Sequence, residues 1–135
     1  MKVETHMMAR HLAAVRSWDW DAIMRNPAAG LPVVSSSMFL AQMRELVPKP
    51  GHDVHSVVPL RWLRGDEVAE HTHPEWTVIF YAQLGDPPVP VIIDGEVYTP
   101  EPGECLVLPP NTPHAVPRSH SDTPRISIAM RVKVQ

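Results

Sequence analysis

Three histidines lie at spacings that could place their imidazole rings around one metal ion. His71 and His73 are separated by one residue, and His114 follows a turn-rich segment about forty residues later. Side chains two positions apart on an extended segment point to the same face, so the first two rings can converge. A third imidazole delivered by a turn can complete a site for a divalent metal. The spacing therefore predicts a metal site formed by His71, His73 and His114.

Other residues near these histidines leave alternatives open. Glu75 follows His73 by two positions and is a candidate fourth or substitute ligand, or else a solvated residue on an edge turn. Metal binding is favoured over a pocket that has lost its metal. The remaining histidines have no partner at ligand spacing and are interpreted as surface residues: His6, His11, His52, His55 and His120.

The elements that must position the site are mostly strands. From about residue 54 the hydrophobic residues recur with a period of two, and β-branched and aromatic residues are frequent. Asp94-Gly95 predicts a two-residue hairpin turn. The predicted strands comprise an alternating segment with Val58, Leu60 and Trp62, followed by segments 77–82, 89–93, 96–99, 105–108 and 125–134.

The last of these strands has two unlike faces. Ile126, Ile128 and Met130 share one side, and Arg125 and Ser127 share the other. A small barrel needs apolar filling, and a buried guanidinium without a partner is costly. We therefore expect the apolar face to fill the barrel and Arg125 to face solvent. Trp62, Trp76, Ile79 and Tyr81 are the candidate pocket-wall residues.

Residues 1–50 are predicted to form a helical segment that packs on a barrel comprising residues 51–135. Ser37 can cap a helix with apolar positions at Phe39 and Met43, which the segment Pro48-Lys49-Pro50-Gly51 ends. An earlier helix is predicted over 11–25, ending at Asn26-Pro27, with three candidate core residues: Trp18, Trp20 and Ile23.

Length and composition narrow the class of protein. A chain of 135 residues is long enough for one core. The single cysteine, Cys105, excludes an internal disulfide and favours a reducing, cytoplasmic setting. A net charge of −3 with mixed signs gives no basic surface for nucleic acid. Charged residues interrupt the apolar stretches of the first twenty positions, so neither a secretory signal nor a membrane span is expected.

A homodimer is an open expectation, because barrels of this size often pair through an edge strand or a helical arm.

Two groups of residues resemble the motifs of the cupin superfamily. Gly65 precedes His71-Thr72-His73 by five intervening residues, and Gly103 precedes Pro109 by the same interval, with Asn111 and His114 following. The resemblance covers about residues 57 to 134. It implies a mainly β fold, the double-stranded β-helix or jelly-roll barrel, here with an N-terminal helical segment. In that family the residues that match His71, His73 and His114 ligate a divalent metal.

A second resemblance overlaps the first. His73-Pro74-Glu75, His114 and Arg125-Ile126-Ser127 are similar in order and spacing to the pattern of the 2-oxoglutarate-dependent Fe(II) oxygenases, which use the same barrel. This resemblance implies His73, Glu75 and His114 as metal ligands. It also implies the opposite orientation of the last strand, with the apolar face under the N-terminal helices and Arg125 turned toward the metal. Arg125 and Ser127 would then bind the carboxylate of 2-oxoglutarate, with the planar fork of the guanidinium holding both oxygens.

These observations predict a metal-binding cupin that acts as a non-haem Fe(II) dioxygenase on a small organic acid. Zn, Mn and Ni are alternatives to iron. The first alternative function is a 2-oxoglutarate-dependent hydroxylase. The second is a cupin that binds or senses a small molecule without catalysis. The expected partner is a small-molecule substrate in each case.

Overall fold

The computed structural model of the chain describes residues 3–26, 33–48 and 53–133 and is built mainly from antiparallel strands. Within these ranges, one sheet has the order β1-β7-β4-β9-β2 and the other has the order β3-β8-β5-β6. This arrangement confirms the prediction of a mainly β, double-stranded β-helix fold. The strands are β1 (Glu4–Met7), β2 (Asp53–Trp62), β3 (Val68–His71), β4 (Trp76–Gln83), β5 (Val91–Ile93), β6 (Glu96–Tyr98), β7 (Glu104–Leu108), β8 (His114–Val116) and β9 (Arg125–Lys133).

Three α-helices precede the main run of strands in the described residues: α1 (Leu12–Ser17), α2 (Trp20–Arg25) and α3 (Val33–Glu45). The prediction of a single helix over 11–25 was wrong in one respect, because the helix is interrupted between α1 and α2. Asp19 causes the new start, since its side chain accepts a hydrogen bond of 3.1 Å from the backbone NH of Ala22. None of the described helices is long and apolar enough to cross a membrane.

The boundaries of the N-terminal elements differ from the prediction in two further places. Helix α3 already includes Val33, so Ser37 lies inside the helix and does not cap it. The chain before α1 is not helical throughout, because β1 pairs antiparallel with β7 at the edge of the five-stranded sheet. The N-terminal segment therefore contributes a strand to the barrel as well as helices that cover it.

Two hydrophobic clusters lie on opposite faces of the five-stranded sheet. The outer cluster packs the sheet against the helices and includes a T-shaped contact between Phe39 and Phe80, whose ring centroids are 4.8 Å apart. Trp18, Trp20 and Ile23 are buried in it, as the sequence predicted. The inner cluster lies between the two sheets and includes Ile79, Tyr81, Val91, Ile93, Leu106 and Leu108.

The hairpin between β5 and β6 forms where the sequence predicted it. Asp94 and Gly95 have φ angles of 50° and 81°, and Ile93 pairs with Glu96 across the turn. Positive φ at both central residues gives the turn the twist of the flanking strands. The hairpin fixes the register of the four-stranded sheet beside β8, which carries His114.

The expectation for the last strand was wrong. Ile126, Ile128 and Met130 pack in the outer cluster under the helices, and Arg125 points into the barrel with only 2% of its surface exposed. The helices cover the outer face with apolar surface, so the isoleucines are buried without entering the barrel. Because successive side chains alternate, Arg125 and Ser127 turn inward.

Candidate metal centre and its pocket

Two paired strands and two turns bring the three histidines together. His71 ends β3 and lies opposite His114, the first residue of β8, in the antiparallel register. His73 lies in the turn after β3, where its carbonyl accepts a hydrogen bond of 2.7 Å from the backbone NH of Asn111. Asn111 has a φ of 62°, the left-handed conformation that Asn tolerates better than most residues. The turn before β8 therefore binds the turn that carries His73.

The three imidazoles converge as the sequence spacing predicted. Each ring offers a ligand atom within 4.8 Å of the others, and the ring centroids are 4.2 to 5.1 Å apart. In the described part of the chain, the group that could hold a metal consists of His71, His73 and His114.

Backbone carbonyls orient two of the rings. Nδ1 of His71 lies 2.9 Å from the carbonyl oxygen of Ala69, and Nδ1 of His114 lies 2.9 Å from that of Thr112. A carbonyl can only accept, so each Nδ1 carries the proton and each Nε2 presents its lone pair. This arrangement is typical of metal-ligating histidines, in which the second nitrogen is held by a carbonyl or carboxylate. The donor set therefore fits a divalent transition metal.

The surroundings of His73 and His114 disfavour a positive charge on these two rings. Burial, the nearby charge of Arg131 and the neighbouring histidines lower the pKa of His73 to about 4. Burial also lowers the pKa of His114, against the hydrogen bond to the Thr112 carbonyl. Metals compete with protons for the same nitrogen lone pairs, so a lowered pKa keeps His73 available as a ligand in mildly acidic solution.

This neutrality predicts how the stability of the metal-free protein depends on pH. The pKa of His73 falls from its ordinary value of 6.5 to about 4 on folding. The unfolded chain therefore binds more protons than the folded chain between these values, and stability decreases as the pH falls from 6.5 towards 4. We expect the melting temperature of metal-free protein to decrease over this range, and to decrease less in His73→Gln. The control is His120→Gln at an exposed position. Equal decreases in the parent and His73→Gln would contradict the assignment.

Glu75 lies outside the group of three ligand atoms. Its charge raises the pKa of His73, opposing the other influences, so it is within electrostatic range of that ring. One carboxylate oxygen, Oε2, is buried and has no hydrogen-bond partner among the described residues. The structure thus brings the three histidines together without Glu75, whose role as a ligand stays a prediction.

A cavity of about 160 Å³ extends from the histidines into the barrel. The pairing of β9 with β4 gives the order of residues along the cavity. Arg131 lies opposite Thr77 near the histidine end, and Ser127 lies opposite Tyr81 further in. Trp62, Ile79 and Tyr81 line it as the sequence predicted, whereas Trp76 packs against the outer cluster. The walls are mainly apolar, with Val58, Leu60, Val68, Val91, Val116 and Ala129 among the lining residues.

Polar donors cluster around Arg125 at the inner end of the cavity. The Arg125 Nε donates to the carbonyl of Val89 at 3.1 Å, and the guanidinium carbon lies 5.1 Å from the Tyr81 ring centroid and 5.7 Å from that of Trp62. Two buried polar atoms in this cluster, Ser127 Oγ and Trp62 Nε1, have no hydrogen-bond partner among the described residues, and the Tyr81 hydroxyl interacts with Arg125 without a well-aligned hydrogen bond.

These groups form a site suited to an anion. Burial raises the pKa of Tyr81 to about 12, with Arg125 opposing the rise, so the hydroxyl remains a donor at neutral pH. Burial also lowers the pKa of Arg125, but a guanidinium stays charged in proteins. Buried polar groups are normally hydrogen-bonded, so a set of unpartnered donors around a cation matches a carboxylate ligand.

The sequence pointed to some of this cluster and missed the rest. Arg125 and Ser127 were predicted as binding residues from a resemblance, while Trp62 and Tyr81 were expected only as walls of the pocket. Alternation along the strands could have identified them, because Trp62 lies two positions from Leu60 and Tyr81 two positions from Ile79, on the same inner face. Each also has a polar atom on its aromatic ring that can donate a hydrogen bond.

A family model described as "Cupin domain" matches residues 60–129. This stretch contains His71, His73, His114 and Arg125. Among curated proteins, none matches this chain significantly.

Solved structures share the fold at low sequence identity. A prolyl-4-hydroxylase from Pseudomonas putida aligns over 98% of this chain and 88% of its own, with a TM-score of 0.68 and 14% identity. An oxidoreductase of the 2OG-Fe(II) oxygenase family from Burkholderia pseudomallei aligns over 73% of this chain and 51% of its own, with a TM-score of 0.55 and 15% identity. Salicylate 1,2-dioxygenase from Pseudoaminobacter salicylatoxidans, in adducts with gentisate, aligns over 84% of this chain and 32% of its own, with a TM-score of 0.50 and 17% identity.

Proposed function

The chain belongs to the cupin family, and from this premise we propose that it is a metal-dependent oxygenase that acts on a small organic acid. The observation that carries the proposal is the buried Arg125 in the same cavity as the three histidines. One end of the cavity offers metal ligands and the other offers donors for a carboxylate.

His71, His73 and His114 would hold the metal, for which Fe(II) is our first choice and Zn, Mn or Ni are alternatives. A bound redox-active metal would supply Lewis acidity and the means to activate dioxygen. The carbonyls of Ala69 and Thr112 fix the ring orientation, so little reorganisation is needed when the ion binds.

The remaining residues bind and orient the organic acid. Arg125 and Ser127 would receive its carboxylate, helped by the hydroxyl of Tyr81. Apolar side chains such as Leu60 and Ile79 would pack on its carbon skeleton and exclude water. The reacting end of the acid would then face the histidines, because the carboxylate is held at the opposite end.

The inward position of Arg125 also favours a second version of the proposal, in which the bound acid is 2-oxoglutarate and a separate substrate is hydroxylated. The oxygenase resemblance required this orientation, with the apolar face of β9 under the N-terminal helices. In that version Glu75 is a further candidate ligand beside His73 and His114. A binding or sensing protein without catalysis is the third candidate.

Metal analysis and oxygen uptake separate these functions. The purified protein is analysed for bound metals, loaded anaerobically with Fe(II), and supplied with oxygen and a panel of small organic acids, with and without 2-oxoglutarate. Uptake with an acid alone supports the dioxygenase, and uptake that requires oxoglutarate supports the hydroxylase. Metal-loaded protein that binds acids without consuming oxygen would contradict both enzymes and favour the binding protein.

A further inference from the structure

Arg131 is a second cation that faces the cavity, and the proposed function leaves it unused. It lies on the same face of β9 as Arg125, Ser127 and Ala129, and it lines the cavity with the three histidines. Its position opposite Thr77 on β4 places it at the histidine end. Its side chain is only partly exposed.

The guanidinium of Arg131 has no direct partner among the described residues. In the described part of the structure, its guanidinium has neither an ion pair nor a hydrogen bond, and the cavity lining includes no Asp or Glu. Arg131 lies within electrostatic range of His73 and His114, so its charge acts on both rings. A divalent cation held by the same rings would add to the repulsion, because like charges in a partly desolvated cavity raise each other's free energy.

An anion is the species that would relieve this repulsion. A carboxylate can accept hydrogen bonds from the fork of a guanidinium, and it is also a common ligand of divalent metals. A carboxylate placed at the histidine end would therefore satisfy Arg131 and neutralise part of the metal's charge.

We propose that Arg131 is a substrate-binding residue that holds a carboxylate beside the metal, in addition to the carboxylate held by Arg125. The inference rests on the proposed function and adds a second anionic group to the ligands of the same cavity. The two arginines are six residues apart on one strand, roughly 20 Å between their Cα atoms at about 3.3 Å per residue. Trp62 and Tyr81 lie against the Arg125 guanidinium at the inner end, whereas Arg131 lies opposite Thr77, so the two arginines form separate subsites. The two groups belong either to two acids or to the ends of one dicarboxylate.

Acetate binding to the Co(II)-loaded protein tests the inference without any turnover. Cobalt replaces the metal at imidazole sites, and its visible absorption changes when a ligand enters its coordination sphere, so the readout reports only the histidine end. Metal content is measured first, and acetate is then titrated at constant ionic strength, with acetamide as the uncharged probe. We expect Arg131→Gln to raise the apparent Kd for acetate about tenfold or more, the effect of one charge-assisted hydrogen bond. We expect acetamide to cause no change.

Two further variants provide controls. Lys133→Gln removes the same charge two residues further along β9, at an exposed position, and should leave the Kd unchanged. Arg131→Lys keeps the charge and should recover part of the affinity, which a loss caused by misfolding would not. Succinate shows whether the two carboxylates belong to one dicarboxylate or to two acids. If one dicarboxylate spans both subsites, Arg125→Gln weakens the cobalt response to succinate but not to acetate. If two acids bind, Arg125→Gln changes neither response.

The outcomes distinguish this inference from the proposed function. Protein that binds cobalt, and whose acetate response is the same in Arg131→Gln as in the parent, would overturn the role of Arg131 and leave the metal site intact. Protein that binds no cobalt would overturn both.

Discussion

Replacing His114 by Ala is expected to remove most of the bound divalent metal. His114 is the most buried of the three histidines, and its Nδ1 is held by the Thr112 carbonyl so that Nε2 faces the cavity. Loss of one of three protein ligands leaves two imidazoles, which hold a divalent ion far more weakly. Elemental analysis of protein purified in parallel with the parent measures the effect.

The matched control is His120→Ala. His120 is six residues further along the chain and exposed, so its removal should leave metal content unchanged. Added metal should raise the melting temperature of the parent and of His120→Ala but not of His114→Ala, because an ion stabilises only a folded state that binds it. Equal metal content in the two variants would show that His114 is not a ligand.

Replacing Arg125 by Ala is expected to abolish acid binding at the inner end of the cavity. Arg125 is 2% exposed, its guanidinium carbon lies 5.1 Å from the Tyr81 ring centroid and 5.7 Å from that of Trp62, and it is the charged member of the donor cluster. Removal of a buried charged donor should raise the Kd for the carboxylate on the order of 10- to 100-fold. Calorimetric titration of metal-loaded protein with 2-oxoglutarate and with the acids that support oxygen uptake measures the loss, and turnover should fall in parallel.

The stability of the ligand-free protein distinguishes a binding role for Arg125 from a structural one. A buried cation with unpartnered donors around it is costly in the absence of a ligand, so Arg125→Ala should melt within a few degrees of the parent or above it. Arg118→Ala, at an exposed position, controls for the loss of one positive charge. Unchanged acid affinity and turnover in Arg125→Ala would contradict the assignment of Arg125 as a binding residue.

Local patterns predicted the fold and the histidine cluster well. The hairpin at Asp94-Gly95 depends on the conformations of two residues, and the convergence of His71 and His73 depends on their spacing. The strands β4, β7 and β9 followed from composition and alternation, because a half-buried strand shows its pattern within a few residues. The resemblance to cupins then placed His114 beside the first pair, and the structure confirms this proximity.

One strand that depends on a distant partner was missed, and so were two helix boundaries. Strand β1 pairs with β7 across about a hundred residues of sequence, and nothing within Glu4–Met7 indicates that partner. The break between α1 and α2 occurs inside the stretch 11–25, where the side chain of Asp19 caps a new helix. Ser37 has the residue type of a cap, but α3 includes residues before it.

The sequence by itself determined which residues could do the chemistry: three histidines at ligand spacing and an arginine on one of the two faces of the last strand. Only the tertiary structure decided which face of that strand enters the barrel. Alternation guarantees that Ile128 and Arg125 point to opposite sides, but both sides of the five-stranded sheet are covered, one by helices and one by the second sheet. The helices carry Trp18, Phe39 and other apolar side chains, so the isoleucines are buried on the outer face. The inner face is then left for Arg125, beside the cavity that the histidines close.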